Sequence, residues 1–356
     1  MNDSERFLSA FSELRFYKEL VLRNLHFTVE GSTEKEVADL LIYGGDFVIA
    51  IQLKARNEKD QTSDPEKELK WLTNKCKVAK KQVKESIAFI RSGDLPTFEN
   101  GRNKQVKLSA TTEIIPLVVF MNDNIGNNYP HILRKHSEDG MDINCMSFPD
   151  FQQMCKVLLS PMEIIEYLKW RLLFFQNNGD VNISVYMDDK DNIMLVKPSH
   201  GEALSHQFIA EKYGVEGDRE RTKYIEAFTD MLHKLPCRVV DESKNDSSYP
   251  LILFFAHFNR LEIKEFVERV TRSLNAARKE DYSICGSIRN IEQRYAVFFV
   301  STHDGYSLNM DHLAEIAQKK GAFDILLQVL CYWENNVEFR IDYIFQDYAE
   351  RYLCTF

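Results

Sequence analysis

The stretch from Val37 to Ala55, VADLLIYGGDFVIAIQLKA, holds two β-rich runs joined by a diglycine. Val, Ile, Leu, Phe and Tyr dominate both runs, and glycine at each central turn position permits the positive φ angles of a tight hairpin. With Gly44 and Gly45 as a two-residue loop, Tyr43 faces Asp46 and Asp39 faces Ala50. Partners across the strands share a face, as do residues two apart on one strand. Asp39, Ala50, Gln52 and Lys54 therefore point the same way, with Asp39 and Gln52 as diagonal neighbours. Phe47, Ile49, Ile51 and Leu53 form an apolar face that must be covered. Burying Lys54 without a partner is costly, so a carboxylate, an amide oxygen and an ammonium gathered near one end of an apolar hairpin need an explanation.

Outward from the hairpin, Phe7, Leu8, Phe11, Leu14, Val21 and Leu25 recur at three- and four-residue spacing. That spacing predicts a helix over 4–25, with Asp3 or Ser4 as its N-cap. Leu25 to Glu30 alternates like a short strand. Pro65 suits the first turn of a lysine-rich helix over 65–92. Glu113 to Met121 (EIIPLVVFM) reads as a strand that Pro116 pushes towards an edge. Ile143 to Ser147 reads as a short strand ahead of helices near 149–159 and 161–175. The polar, Gly-containing QNNGD at 176–180 then divides the chain into domains 1–176 and 177–356. The second part interleaves strands at Val181–Tyr186, Ile193–Val196, Leu251–Ala256 and Tyr295–Ser301 with helices at 203–213, 222–234, 260–279, 310–335 and 343–353. The expectation is an α/β fold: a mixed central sheet flanked by helices, followed by an α+β domain.

The polar cluster suits phosphodiester hydrolysis. A hard divalent cation needs oxygen ligands and lowers the pKa of a bound water, and a nearby lysine offsets charge developing on phosphate. In this light ADLLIYGGDFVIAIQLKAR (38–56) resembles the signature of the PD-(D/E)xK nuclease superfamily, the restriction-endonuclease-like fold. That signature is an Asp opening one strand of a hairpin, then Glu or Gln, any residue, and Lys on the next strand. The resemblance covers about residues 5 to 175. It implies that Asp39 and the Gln52 side-chain oxygen ligate Mg²⁺ or Mn²⁺ together with a carboxylate of the preceding helix. Glu13 is the first choice for that carboxylate, Glu19 the second and Glu36 a remote third. Lys54 would position the attacking water or stabilise developing charge, and Gln82 would be a supporting polar residue. Arg56 reads either as a phosphate contact or as a solvated strand end. Two positions depart from the pattern. Gln52 stands for Glu, as in Mrr-like branches, and removes a negative charge; Ala38 stands where a proline often precedes the Asp.

The implied activity is metal-dependent hydrolysis of nucleic acid, DNA rather than RNA, with restriction or defence against mobile DNA as the analogy from fold. The alternative is a non-catalytic nuclease-like protein that binds nucleic acid or a protein partner. The second domain carries no motif, and regulation, sensing and homodimerisation all remain open for it.

Charge qualifies this reading. The chain carries a net −9 with a pI near 5.6, which disfavours long-range steering onto DNA. Yet Glu66 to Arg91 holds eight Lys or Arg against three Glu, a segment that reads as a solvated helix face or a phosphate-facing surface. Hydrophobic residues at 44% and aromatic residues at 12% indicate a folded protein. No apolar run is long enough to span a bilayer, and MNDSERFLSAF lacks a leader pattern. The seven cysteines include no CxxC pair, against both a disulfide framework and a thiolate zinc site. A cytoplasmic protein is expected.

Other constellations are weaker. His131 and His136 in HILRKH are five apart, not the four that put two imidazoles on one helix face, and read as loop or helix surface. Asp188, Asp189 and Asp191 lack the glycine and distal Glu of a calcium loop and read as a turn, as does Asp123. Phe254, Phe255, Phe258, Phe298 and Phe299 read as core. A phosphate-cradling Gly loop and a nucleophile elbow are both missing from the sequence.

Overall fold

The computed structural model describes residues 3–16, 18–23, 25–27, 35–92, 97–101, 103, 105–122, 124–125, 129–133, 142–178, 185–189, 192–196, 200–214, 224, 227–228, 248–279, 283–290, 294–302, 323–334 and 338–347. They form two compact units, Met1–Asp218 and Arg219–Leu353. Among them, no helix is long and apolar enough to cross a membrane.

An apolar run such as Phe47–Ile51 has no solvent face, and a strand of this kind must be covered on both sides. It lies inside an eight-stranded mixed sheet. In chain order, the first unit comprises α1 (Asp3–Phe16), β1 (Val21–Arg23), β2 (His26–Phe27), β3 (Lys35–Glu36), β4 (Leu40–Tyr43), β5 (Phe47–Ala55), α2 (Pro65–Ser92), β6 (Phe98–Asn100), β7 (Gln105–Val106), β8 (Glu113–Met121), β9 (Ile132–Leu133), β10 (Ile143–Ser147), α3 (Phe148–Val157), α4 (Pro161–Asn178), β11 (Val185–Asp189), β12 (Asn192–Val196) and α5 (His200–Tyr213). The sheet order is β7-β6-β1-β4-β5-β8-β10-β9. Strands β5, β8 and β10 run parallel to one another, while β1, β4 and β5 form an antiparallel meander. Helices flank the sheet, with α2 against β5 and β8 and α1 against β1 and β4.

Several expectations change. The first helix stops at Phe16, and Val21 and Leu22 belong to β1, where they pair with Ile42 and Leu41. Over so few residues, apolar spacing does not separate a helix end from a following strand. Pro116 does not put β8 at an edge, since β8 lies between β5 and β10. Its ladder to β10 begins at Leu117, one residue after the missing N–H. The break expected after Gln176 falls within α4. The first unit continues through α5, where Trp170 Nε1 donates to Glu211 and Tyr213 Oη donates to Glu166. Phe208 packs on Tyr167 and Trp170.

The second unit contains α6 (Ser248–Ala256), α7 (Arg260–Ala277), β13 (Ser283–Asn290), β14 (Tyr295–Thr302), β15 (Ile325–Glu334) and β16 (Glu338–Asp347), the strands forming one sheet in that order. Asn259 and Glu262 build a capping box that starts α7. Leu251–Ala256 is helical rather than extended, because a short continuous apolar run carries no period. Within the expected helix 310–335, residues 325–334 are strand β15, and β16 occupies much of the expected helix 343–353. Residues 310–322 and 348–353, and all of 222–234 but 224, 227 and 228, lie outside the described residues. Phe254, Phe255, Phe258, Phe298 and Phe299 are buried, as core residues should be.

Candidate active site

The hairpin is present with a different register. Gly44 N–H donates to Phe47 O at 3.0 Å and Tyr43 pairs with Val48, so Gly45 and Asp46 form the loop. Gly45 takes the positive φ of 98°. Gly44 is needed for another reason: the Phe47 ring lies where its β-carbon would be. Ala50 consequently faces Leu41 rather than Asp39. A slip of two residues leaves every side chain on its expected face, where a slip of one would have reversed them all.

Asp39 precedes the paired stretch. The approach to it is pinned by Val37 N–H, which donates to Leu25 O at 2.8 Å, and by Ser86 Oγ of α2, which donates to Val37 O. Asp39 N–H donates to Ile51 O at 3.1 Å. Its Oδ2 accepts the Leu53 N–H at 2.6 Å, so the side chain replaces a backbone partner where β4 leaves β5. Lys54 Nζ stands 3.6 Å from Asp39 Oδ2, 3.3 Å from Gln52 Oε1 and 2.9 Å from Leu53 O. The side chains of Lys54 and Asp39 are only 11% and 10% exposed, and Gln52 is buried. The three expected residues are thus gathered around one nitrogen.

Burial raises the Asp39 carboxyl above its ordinary value, and the charge of Glu5 adds to the rise. Lys54 and the Leu53 N–H oppose the shift without cancelling it. Glu5, near the start of α1, is thus a helix carboxylate whose charge acts on Asp39. Glu13 follows about 12 Å further along the axis, where its Oε1 accepts Ser9 Oγ at 3.4 Å. Glu19 is buried in the turn after α1, and Glu36 is exposed on β3. Glu5 lies further from the hairpin in sequence than Glu13, the first choice for a helix carboxylate. Gln82 lies one turn from Ser86 on α2, and its buried Oε1 accepts no hydrogen bond among the described residues. Among those residues, no group of three or more His, Cys, Asp or Glu could hold a metal ion. A cation at Asp39 would therefore depend on the amide oxygen of Gln52.

Arg56 is neither a solvated strand end nor a free phosphate contact. Its Nε donates to the fully buried Glu68 Oε2 at 3.1 Å, its Nη2 donates to Asp60 O at 2.6 Å, and the guanidinium lies 5.4 Å from the Trp71 ring centroid. Burial works against the charge on Glu68, yet donors from Asn122, Thr62 and Arg56 hold its carboxyl below the ordinary value. This network fastens the end of β5 to the first turn of α2. Arg56→Ala is expected to lower the melting temperature by roughly 5–10 °C. An unchanged melting curve in scanning calorimetry would return Arg56 to the solvent-facing reading.

Behind the site, Cys76 Sγ on α2 stands 3.9 Å from Cys145 Sγ on β10. The contact with Cys145 lowers the Cys76 thiol; burial opposes this and the nearby charge of Lys54 reinforces it. His131 is a core residue, not a surface one, with its ring stacked on Phe175 at 4.6 Å. Arg171, which sequence reading passed over, donates to His131 O, Asn144 Oδ1 and Cys145 O at 2.7, 2.9 and 3.0 Å. His136, Asp123 and Asp191 lie outside the described residues. No family model, curated protein or solved structure matches the chain, so its reading rests on this geometry and on the resemblance of the hairpin motif.

Proposed function

We propose that the first unit is a restriction-endonuclease-like, divalent-metal-dependent nuclease that hydrolyses phosphodiester bonds, in DNA rather than RNA. One observation carries the reading. A largely buried carboxylate, already raised by desolvation and by Glu5, shares a face with a buried amide oxygen and with a lysine that touches both. Such a cluster is unfavourable by itself and is relieved by a cation accepting oxygen ligands. The donor set fits Mg²⁺ or Mn²⁺: Asp39 and Gln52 Oε1 would hold the ion, and Glu5 takes the helix position first given to Glu13. When bound, the ion supplies Lewis acidity at phosphate and an ionisable water. Asp39 and Gln52 orient that centre, while Lys54, tied to both, presents positive charge to the phosphoryl oxygens.

Incubation with supercoiled plasmid in Mn²⁺ tests the proposal. Nicking or linearisation that EDTA abolishes is expected, and absence of metal-dependent cleavage on both DNA and RNA would leave only nucleic-acid or partner binding. Glu5→Gln should slow cleavage about tenfold or more, by analogy with loss of a supporting metal-site group. Glu13→Gln should stay within about twofold of wild type on the same scale. The reverse ranking would restore Glu13.

A further inference from the structure

We infer that the solvent face of α2 is the surface on which this chain receives a nucleic-acid backbone. Leu72, Cys76, Ala79, Val83, Ile87 and Ile90 turn inwards and are buried. At about 100° per residue, Lys70, Lys77, Lys80, Lys81, Lys84 and Arg91 fall within roughly one 100° arc on the other side. All are exposed except the partly buried Lys80. From Lys70 to Arg91 the stripe runs about 31 Å along the axis, the length of roughly nine base pairs.

Acidic neighbours neutralise only part of it: the charge of Asp142 acts on Lys80, and Glu66 precedes Lys70 by one turn on the same face. Glu68 is turned inwards to Arg56, and Glu85 meets Lys81 at 3.8 Å on the surface. Lys70, Lys77 and Lys84 make no ion pair or hydrogen bond among the described residues. Like charges one turn apart, as in Lys77–Lys81 and Lys80–Lys84, destabilise an isolated helix, and a polyanion removes that repulsion. The contrast with the rest of the chain is large: Glu66–Arg91 carries a formal +5 and the remainder −14. A polyanion is therefore favoured on this segment over the net acidic remainder of the chain, with strong dependence on salt. Insertion into a lipid surface needs a free apolar face, and the apolar face of α2 is already spent on the core. A phosphodiester backbone remains the fitting occupant. The inference deepens the nuclease reading by naming where substrate docks, and it is tested by binding rather than by cleavage.

Fluorescence anisotropy with a labelled 20-base-pair duplex, in EDTA between 50 and 200 mM KCl, is the measurement. Wild type should bind, and the triple variant Lys70→Glu/Lys77→Glu/Lys84→Glu should bind at least tenfold more weakly at the lowest salt. The slope of log K against log salt should become shallower by about 2.7, the share of three phosphate contacts. The corresponding Lys→Gln triple variant should weaken binding in the same direction, which guards against a fold disturbed by charge reversal. Unchanged affinity and slope in variants with native melting curves would overturn the inference, as would failure of wild type to bind. Charge-dependent binding to phosphatidylserine vesicles without duplex binding would do the same. Duplex binding lost in the stripe variants but kept in Lys54→Ala supports the inference even if no cleavage is ever seen. Cleavage that requires Lys54 while the stripe variants bind normally would sink the inference and spare the site.

Discussion

Lys54→Ala is expected to lower Mn²⁺-dependent plasmid cleavage by about 10²–10³-fold, the usual cost of removing a group aimed at developing charge. Lys54 contacts Asp39, Gln52 and a backbone carbonyl, so its loss also leaves buried acceptors short of a donor. A stability loss of about 1–3 kcal/mol should accompany the change. Lys54→Met keeps the apolar stem and removes only the charged end, so it carries the same loss of a donor without the added loss of packing. If Lys54 acts on substrate, cleavage per folded molecule remains as low in the Met variant as in the Ala variant. Single-turnover cleavage within threefold of wild type would end the catalytic assignment. Activity lost only in proportion to folded protein would make Lys54 structural.

Asp39→Asn should cut cleavage at least about 10²-fold and yet leave the metal-free protein as stable as wild type, or more so, at neutral pH. The sign follows from the raised carboxyl. Desolvation, then Glu5, hold the folded-state value above that of the unfolded chain. The folded state therefore keeps a proton that the unfolded state has lost, and wild-type stability falls as pH rises through that window. Asn cannot ionise but still offers an oxygen to the Leu53 N–H, so its melting temperature in EDTA should depend less on pH. Metal reverses the ranking. At Mn²⁺ a hundredfold above its dissociation constant, wild type gains about 2.7 kcal/mol while the variant gains little. Equal thermal shifts by Mn²⁺ in both proteins would remove Asp39 from the ligand set.

Local pattern went furthest where one physical rule dominates. A two-sided apolar run demands a covered strand, and β5 is one. Pro65 and the periodicity after it delimit α2. The face shared by Asp39, Gln52 and Lys54 was legible because side-chain alternation survives a two-residue error in register. Other features depended on distant partners. Nothing near Arg56 in sequence announces Glu68 and Asn122 as its surroundings. The apolar run Leu251–Ala256 fits helix and strand equally, and packing against Phe258, Phe266 and Tyr295 accompanies the helix it forms.

The Val37–Ala55 hairpin marks the division. By itself the sequence determined two strands, a glycine turn and a polar face bearing Asp39, Gln52 and Lys54, because alternation and turn chemistry act over a few residues. Only the tertiary structure decided that the turn is Gly45–Asp46, that β5 lies between β4 and β8, and that the charge of Glu5 acts on Asp39. Those choices depend on burial and on charge across elements far apart in the chain, and no local periodicity encodes either.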